Sequence, residues 1–297
     1  SEDAEYRNLN IEILQNGLAI ANSSANNQYG DICMAAINQA KALKLNVYSG
    51  QPDPDYYYGE AVELTLKELR TNIESYAGMK VAFNGIITAN SGTQGVYVED
   101  YDPETGLYFG IYVYYGHGLN GMGLDAITVG NESRIVGTVQ YYEAGGTWQV
   151  SGLTYRMMKP KDPGNIQKLS DGHAPAWTLT APETFLSQIS IPVGDAEQTF
   201  DYALLALGTS IEMHNLTVKD IYTTMDEESS SYGAMTLTCE SGGHTIPVRT
   251  VPLYDGNVAV TEDHFHGKTI DVKGIVDYYE GQYQVKVFTL NSITFNN

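Results

Sequence analysis

Hydrophobic and polar positions alternate on both sides of a turn between Gly95 and Tyr115, GVYVEDYDPETGLYFGIYVYY. A period of two predicts a pair of half-buried strands joined as a hairpin. Pro103 and Gly106 lie in the predicted turn, because proline presets φ and glycine accepts a positive φ. One face of the hairpin carries the residues that we expect in a core: Val96, Val98, Phe109, Ile111 and Val113. The opposite face carries a row of tyrosines: Tyr97, Tyr108, Tyr112 and Tyr114.

The tyrosine row is the main functional prediction from this pattern. A phenol ring buries well and carries a hydrogen-bonding group, so we expect the row to point outward as a ligand platform. Two alternatives remain at this point. Another element covers the tyrosines, or the residues reflect the β-propensity of tyrosine alone.

Other periodic segments predict a helical N-terminus followed by β structure. Residues 8–22 have the spacing of a short helix that ends at Gly17, and Asp31 is expected to cap a second helix. The apolar positions that predict this second helix are Ile32, Ala36, Ile37, Ala40 and Leu43. Residues 51–55 contain two prolines and predict a linker. A strand that turns into a short helix is expected over 62–70, and a strand over 80–89.

One hairpin pattern occurs twice in the chain. Residues 134–142 and 147–153 form the first copy, and VGTVQYYE from Val136 matches KGIVDYYE from Lys273. The two matching glycines, Gly137 and Gly274, are 274 − 137 = 137 residues apart. Upstream, LTLKEL at 64–69 corresponds loosely to LTVKDI at 216–221. The repeat predicts duplication of one β domain.

The predicted organisation is therefore mainly β with an N-terminal helical pair and two related small barrels. We predict a helical segment over 1–50, β domain 1 over 56–158, a connector over 159–183 and β domain 2 over 184–297. Each β domain has about five short strands with glycine bends, which resembles the OB fold (oligonucleotide/oligosaccharide-binding).

In OB folds the ligand crosses strands two and three, where the tyrosine row falls. The sequence thus predicts six ligand-binding residues: Tyr97, Tyr108, Tyr112, Tyr114, Tyr142 and Trp148. In the second copy the residues predicted to face inward are Met235, Leu237 and Cys239, and those predicted to face outward are Thr236, Thr238 and Arg249. Because that face lacks tyrosines, we expect the first barrel to bind and the second to act mainly as a scaffold.

The run NLNIEILQNGLA and the later run AINQAKALKLNVYSG resemble the C-terminal helical tail of the staphylococcal-nuclease-like (thermonuclease) family over residues 7–49. The resemblance implies a secreted or cell-surface bacterial protein, because OB-like modules occur beside such domains in secreted bacterial nucleases. It transfers no catalytic residue, since the calcium-binding aspartates and phosphate-gripping arginines of that family come earlier, on its barrel strands.

Charge narrows the range of partners. The chain has 16 Lys and Arg against 36 Asp and Glu, a formal net charge of −20, which argues against a broad, non-specific grip on nucleic acid. It also has 23 Tyr but only 7 Phe, an excess of rings with a polar end. No run of eighteen apolar residues occurs, so we expect no membrane insertion. Cys33 and Cys239 are expected to be buried free thiols.

The search for reactive groups predicts no catalytic residue, no metal ligand and no cofactor. On a strand, His264 and His266 would share one face as a conceivable metal pair, but no third ligand is visible and a solvated loop is favoured there. Asp100, Asp102 and Glu104 are expected to form an acidic turn without calcium-loop spacing. No phosphate-binding loop, nucleophile elbow or zinc-protease motif occurs.

Three functions remain for a binding protein of this kind. Tyrosines stacking on the bases of single-stranded nucleic acid, with Arg134 and Arg156 along the track, are the first prediction. An oligosaccharide lying on the rings is the second, and the acidic charge favours it. A protein partner that meets the tyrosine face is the third, since tyrosine is enriched at interface cores.

Overall fold

The computed structural model describes residues 8–19, 28–51, 61–92, 94–117, 119 and 121–296. The chain divides into two compact units, residues 1–58 and 59–297. The linker expected over 51–55 lies outside the described residues apart from Gln51. Within the described part of the chain, no helix has the length and hydrophobicity required to cross a membrane.

The N-terminal unit contains two helices, α1 (Leu9–Gln15) and α2 (Gly30–Ala42). Gly17 follows α1 with φ 64°, as predicted for a glycine just beyond a helix end. The prediction that Asp31 caps α2 is wrong. Asp31 lies in the first turn, where its carboxylate complements the positive end of the helix dipole, and Tyr29 occupies the capping position.

The helical pair packs around a small apolar cluster that contains Leu14, Ala36 and Ile37, with Ile11 and Cys33 packed against it. Ile32 and Leu43, which the helical spacing also assigned to this face, are exposed. They lie toward the two ends of α2, and the short α1 offers them no contact within this cluster.

The unit 59–297 is mostly β. Its strands of the first half are β1 (Val62–Glu63), β2 (Lys80–Asn90), β3 (Gly95–Asp102), β4 (Leu107–Tyr114), β5 (Glu132–Tyr142), β6 (Thr147–Ser151) and β7 (Gln167–Ser170). Those of the second half are β8 (Thr178–Leu179), β9 (Gln188–Val193), β10 (Ala196–Asp201), β11 (Ser210–Thr223), β12 (Met235–Ser241), β13 (His244–Thr250), β14 (Tyr254–Asp255), β15 (Val258–Ala259), β16 (Thr269–Tyr279), β17 (Gln282–Val287) and β18 (Ile293–Asn296).

Short helices connect these strands. The α-helices are α3 (Leu66–Thr71), α4 (Met122–Ala126), α5 (Pro182–Phe185) and α6 (Tyr202–Leu205). The 3₁₀ helices of the described chain are Asn46–Tyr48, Ile73–Tyr76, Glu262–His264 and Leu290–Ser292. The predicted strand-to-helix segment over 62–70 is confirmed as β1 followed by α3. Thr65 and Glu68 form a capping box that starts α3.

The first barrel consists of five strands in the order β2-β3-β4-β6-β5, and β5 closes the ring by pairing with β2. All these pairs are antiparallel except β4 with β6. This order, with one parallel pair between the third and fifth strands, is the topology of an OB barrel. The predicted inward face is confirmed, because Val96, Val98, Phe109, Ile111 and Val113 are all buried in its core.

The second barrel repeats the first. Its strands follow the order β11-β12-β13-β17-β16, with β16 closing on β11 and β13 parallel to β17. Met235, Leu237 and Cys239 are buried in its core as predicted. The predicted fold class, mainly β with two OB-like barrels, is confirmed.

The upstream correspondence between LTLKEL and LTVKDI is wrong. The first segment begins α3, whereas the second lies inside β11, where it pairs with β12 and β16. The structural counterpart of β1 and α3 is β8 and α5, because both short strands pair in parallel with the first strand of their barrel. The spacing is constant, 178 − 62 = 116 for the strands and 182 − 66 = 116 for the helices.

Residues 184–209, which were predicted as the start of β domain 2 without an assigned element, connect the two cores. Ile191 of β9 and Leu205 of α6 are buried in the core of the first barrel. Tyr202 and Ala203 of the same segment are buried in the core of the second. Both barrels therefore share one apolar segment.

Candidate functional site

The tyrosine face of the first barrel is covered by the second barrel at its centre. Tyr97 is only 4% exposed, and its hydroxyl donates to Asp277 Oδ1 at 3.3 Å. Its ring lies 5.9 Å from the ring of Phe288, measured between centroids. The expectation that Tyr97 points to an open surface is therefore wrong, because strands of the second copy occupy that surface.

Glu99 and Gly110 form the middle of this covered face, directly opposite each other in the β3–β4 register. The Glu99 carboxylate is fully buried and accepts bonds from Ser210 N at 2.6 Å, Ser210 Oγ at 2.8 Å and Ala176 N at 2.8 Å. A Cβ on Gly110 would lie 2.5 Å from the carbonyl carbon of Gly208. The absence of a side chain at Gly110 is what lets the two backbones approach.

A buried cation completes the interface between the barrels. Arg70 of α3 donates from Nε to the Gly110 carbonyl oxygen at 3.2 Å and from Nη2 to that of Leu207 at 3.0 Å. Burial lowers the pKa of Arg70 to about 10, so its guanidinium remains charged near neutral pH. Burial raises the pKa of Glu99 above its ordinary value, although three donors oppose the shift.

The three remaining tyrosines of the predicted platform are half-buried and do not form one open row. The Tyr112 ring lies 5.1 Å from that of Tyr97, and its hydroxyl lies 3.2 Å from Ser91 Oγ. Tyr114 donates to Gln94 Oε1 at 3.4 Å. Tyr108 pairs with the ring of Tyr101 at 5.1 Å. The structure brings Tyr112 and Tyr97 together, whereas Tyr108 contacts a different ring.

Two other predicted residues, Tyr142 and Trp148, lie where the repeated hairpins meet. In the first barrel the rings of Tyr141 and Trp148 contact edge to face at 5.1 Å. In the second barrel Tyr278 and Tyr283 repeat this contact at 5.0 Å, from the same cross-strand register. A Cβ on Gly146, in the β5–β6 turn, would lie 3.6 Å from the Tyr278 ring.

We call these aromatic residues of the two hairpins the paired-hairpin surface: Tyr141, Tyr142, Trp148, Tyr278, Tyr279 and Tyr283. Tyr142 is 49% exposed and Tyr279 is 53% exposed. The pKa of Tyr279 is raised chiefly by its hydrogen bond to Glu280 and also by Tyr142, whereas Arg249 lowers it. Tyr279 therefore lies within electrostatic reach of both Tyr142 and Arg249.

The cations expected beside the tyrosines are neutralised by carboxylates. Arg134 makes a two-pronged bond with Glu63 at 2.6 and 2.7 Å, which is the main reason why its pKa is raised. Arg156 pairs with Asp162 at 3.1 Å. The prediction that Arg134 and Arg156 line a nucleic-acid track gains no support from these contacts.

Arg249 was predicted from the strand pattern to face outward, and no function was predicted for it. Its Nη1 donates to Thr236 Oγ1 at 2.9 Å, and its Nη2 donates to Thr224 Oγ1 at 3.0 Å. Within the described ranges no carboxylate oxygen lies within 4.0 Å of its guanidinium. Burial lowers its pKa, which the nearby Tyr222 and Tyr279 partly offset.

The other side chains considered above as possible reactive or metal-binding groups make ordinary local contacts. Lys67 pairs with Asp102 and Glu104 of the acidic turn. His264 lies in a 3₁₀ helix, and both His264 and His266 are exposed, in agreement with the favoured solvated segment and not with a strand. The residue between them, Phe265, is buried in the core. No cluster of three or more potential metal-binding side chains occurs in the part of the chain that the structure describes.

Both cysteines are free thiols. Cys33 is half-buried and Cys239 is fully buried. Burial raises the pKa of the Cys239 thiol to about 12, so that thiol is uncharged and unreactive at neutral pH.

Comparison with known proteins gives structural similarities only. No family model matches the chain, and no curated protein matches it in sequence. The resemblance of residues 7–49 to the thermonuclease tail therefore stays a prediction.

Structurally similar solved proteins include a murine DNA-binding protein bound to double-stranded DNA. Its sequence identity is 10% and its TM-score 0.31, and the aligned region covers 72% of this chain and 92% of that one. The Ifi202 HINa domain in complex with double-stranded DNA gives 9% identity and a TM-score of 0.29, covering 72% and 94%. A putative aspartyl-tRNA synthetase from Leishmania major Friedlin gives 6% identity and a TM-score of 0.26, covering 65% and 51%. Because these TM-scores are below 0.5, the two barrels are assigned from their own strand pairing.

Proposed function

We propose that this chain is a non-catalytic binding protein that holds a single-stranded nucleic acid on the paired-hairpin surface. The observation that supports this proposal is the meeting of the two repeated hairpins, which brings Tyr142 of the first barrel within electrostatic reach of Tyr279 of the second. Tyr279 in turn interacts with Arg249, an arginine that has no carboxylate partner in the described chain. Bases stack on aromatic rings irrespective of sequence, and each stacked base contributes about 1–3 kcal/mol.

The position of this surface within the barrels agrees with such a role. The loop between the fourth and fifth strands is one of the two loops that flank the ligand in OB folds, and both copies place it here. Tyr141, Tyr142 and Tyr279 are the exposed rings of this surface, and Trp148 contacts the ring of Tyr141 edge to face. Tyr97 has no part in this proposal, because its ring is buried between the barrels.

An oligosaccharide is the second candidate, and a specific feature favours it. Glu143 and Glu280 lie in the turns of the two hairpins, next to the exposed rings. Carboxylates accept hydrogen bonds from sugar hydroxyls but repel phosphates, and the net charge of −20 adds to that repulsion. A protein partner at the same rings is the third candidate.

The biological setting is also a proposal. We propose a secreted or cell-surface bacterial protein in which this region accompanies a thermonuclease-like domain. The support is the resemblance of residues 7–49 to the tail of that family.

Titration of wild type and a Tyr142→Leu, Tyr279→Leu double variant tests the binding function. The probes are a fluorescein-labelled oligothymidylate and a panel of labelled oligosaccharides. Losing two stacked rings, at about 1–3 kcal/mol each, should weaken oligothymidylate binding by about 30-fold or more, given roughly 1.4 kcal/mol for each factor of ten. Tyr254→Leu is the matched control, since Tyr254 is equally exposed but lies in the separate β14–β15 pair.

The salt dependence then identifies the ligand class. Binding of nucleic acid should weaken linearly with the logarithm of salt concentration, whereas sugar binding should hardly change. If wild type binds no oligothymidylate at low salt but binds a sugar, the oligosaccharide replaces nucleic acid. If neither probe binds, a protein partner gains support.

A further inference from the structure

We propose that Arg249 of the second barrel is the phosphate-binding residue of this surface, and that the bound strand continues from the paired-hairpin surface along the second barrel rather than along the first. The inference rests on the proposed function, which it deepens by naming the ligand group and the barrel. It reverses the sequence-based prediction that the first barrel binds and the second acts as a scaffold.

Arg249 belongs to a row of side chains that crosses four strands. The row consists of cross-strand partners on neighbouring strands. In order across the sheet these are Tyr222 of β11, Thr236 of β12, Arg249 of β13 and Lys286 of β17. Residues paired in this way lie on the same side of a sheet. The alternate residues, such as Leu237 and Val248, are buried in the core, so the row lies on the outer face.

Two hydrogen bonds orient the Arg249 guanidinium and leave its other N–H groups available to a ligand. Two of its five N–H groups bond to the threonine hydroxyls of Thr224 and Thr236, which orient the planar fork without neutralising it. Arginine matches phosphate geometry through two parallel hydrogen bonds, which lysine does not. In a chain with 36 acidic residues, a half-buried arginine that has only neutral partners within the described ranges is suited to an anionic ligand.

Exposed rings lie on both sides of this cation. Tyr222, at the edge of the row, is 65% exposed, and Tyr279 connects the row to the paired-hairpin surface. Lys286 is less available, because its ammonium lies 3.5 Å from Asp277 and 5.9 Å from the Phe288 ring centre. A strand that stacks on Tyr279 and Tyr222 therefore passes its backbone over Arg249.

The first barrel lacks this arrangement at the matching position. Thr236 faces Arg249 in the second barrel as Gly95 faces Tyr114 in the first. Tyr114 is half-buried and bonded to Gln94, and Tyr112 covers Gly95 closely. The centre of the first barrel's face is closed by the interface at Glu99, so an extended ligand has no continuous path there.

Binding of the labelled oligothymidylate by intact wild type, Arg249→Gln, Arg249→Lys and Arg156→Gln tests this inference. Arg249→Gln should reduce the steepness of the plot of log affinity against log salt by about 0.7, the value for one phosphate contact on a single strand. Arg249→Lys should keep the slope but bind more weakly, because the charge remains and the fork is lost. Arg156→Gln removes the same charge from a carboxylate-paired site and should leave the slope unchanged.

The outcomes separate this inference from the proposed function. If Arg249→Gln binds the probe with the affinity and salt slope of wild type, the role of Arg249 is overturned while the proposed function stands. An equal loss in Arg156→Gln would overturn it as well, because the effect would then be one of overall charge. If wild type does not bind the probe, both proposals fall. Thermal unfolding of each variant checks folding, and Arg249→Lys provides the test if Arg249→Gln does not fold.

Discussion

Replacing the buried carboxylate between the barrels tests whether the two barrels form one cooperative unit. In Glu99→Ala, the Ser210 N–H loses the acceptor to which it donates at 2.6 Å, in a place that water does not reach. An unsatisfied buried donor costs about 1–3 kcal/mol. Ala176 is half-buried, so we expect its N–H to regain a partner from water and to add little.

The size of the effect follows from these contacts. Removal of a buried charge offsets part of the loss, because the carboxylate no longer has to be desolvated on folding. We expect Glu99→Ala to lower the free energy of unfolding by about 2 kcal/mol. Glu99→Gln should lower it by less than about 1 kcal/mol, because the amide keeps an acceptor for Ser210 N–H and can donate to the Ser210 hydroxyl.

Urea unfolding followed by the fluorescence of Trp148 and Trp177 measures both variants. The pH dependence provides an internal check. Because burial raises the pKa of Glu99, the folded chain binds this proton more tightly than the unfolded chain does. Wild-type stability should therefore fall, relative to Glu99→Gln, as pH rises from the ordinary carboxyl value of 4.5 through the raised pKa. Equal stability of Glu99→Ala and wild type, or a parallel pH dependence of Glu99→Gln and wild type, would refute this reasoning.

Two further predictions concern the interface glycine and the thiols. Gly110→Ala should destabilise residues 59–297 by about 1–3 kcal/mol, because its Cβ would lie 2.5 Å from the Gly208 carbonyl carbon and rigid backbone cannot easily yield. Urea unfolding beside Gly164→Ala separates the clash from the cost of replacing a glycine, because Gly164 has no positive φ and its Cβ would meet only the ends of the Asp162 and Lys80 side chains, at 3.2 and 3.5 Å. Iodoacetamide at pH 8 should modify half-buried Cys33 far faster than Cys239, whose thiol has a pKa of about 12, and equal rates by mass spectrometry would contradict the burial of Cys239.

The sequence predicted the inner face of the barrels well because the period of a strand is strict. Once Val96 and Val98 point inward, the tyrosine between them must point outward, and the structure has this register. The same rule cannot show what lies beyond the outer face. That depends on how two barrels far apart in sequence pack together, and strand periodicity carries no information about this packing.

A signal of the interface was nevertheless present in the tyrosine row. Gly110 interrupts the row between Tyr108 and Tyr112, and a glycine inside a strand indicates close approach of another backbone. Glu99 stands opposite it as a charge among aromatic residues. Arg249 gave no comparable signal, because its position depends on cross-strand pairs that only the structure defines.

The two barrels show how copies of one fold take different roles at matching positions. Val113 pairs with Val150 in the first barrel as Val248 pairs with Val285 in the second, so these two pairs are equivalent. Counting along the paired strands from this point, Glu99 corresponds to Glu240 and Gly110 to Thr245. Glu99 is buried in the interface, whereas Glu240 is exposed near Lys219. Thr245 has a side chain where Gly110 has none, and it too is exposed. The residues that fit the first face to its neighbour are therefore absent from the second, where Thr236 and Arg249 are half-buried and Tyr222 is exposed. This is the face on which we propose that the ligand lies.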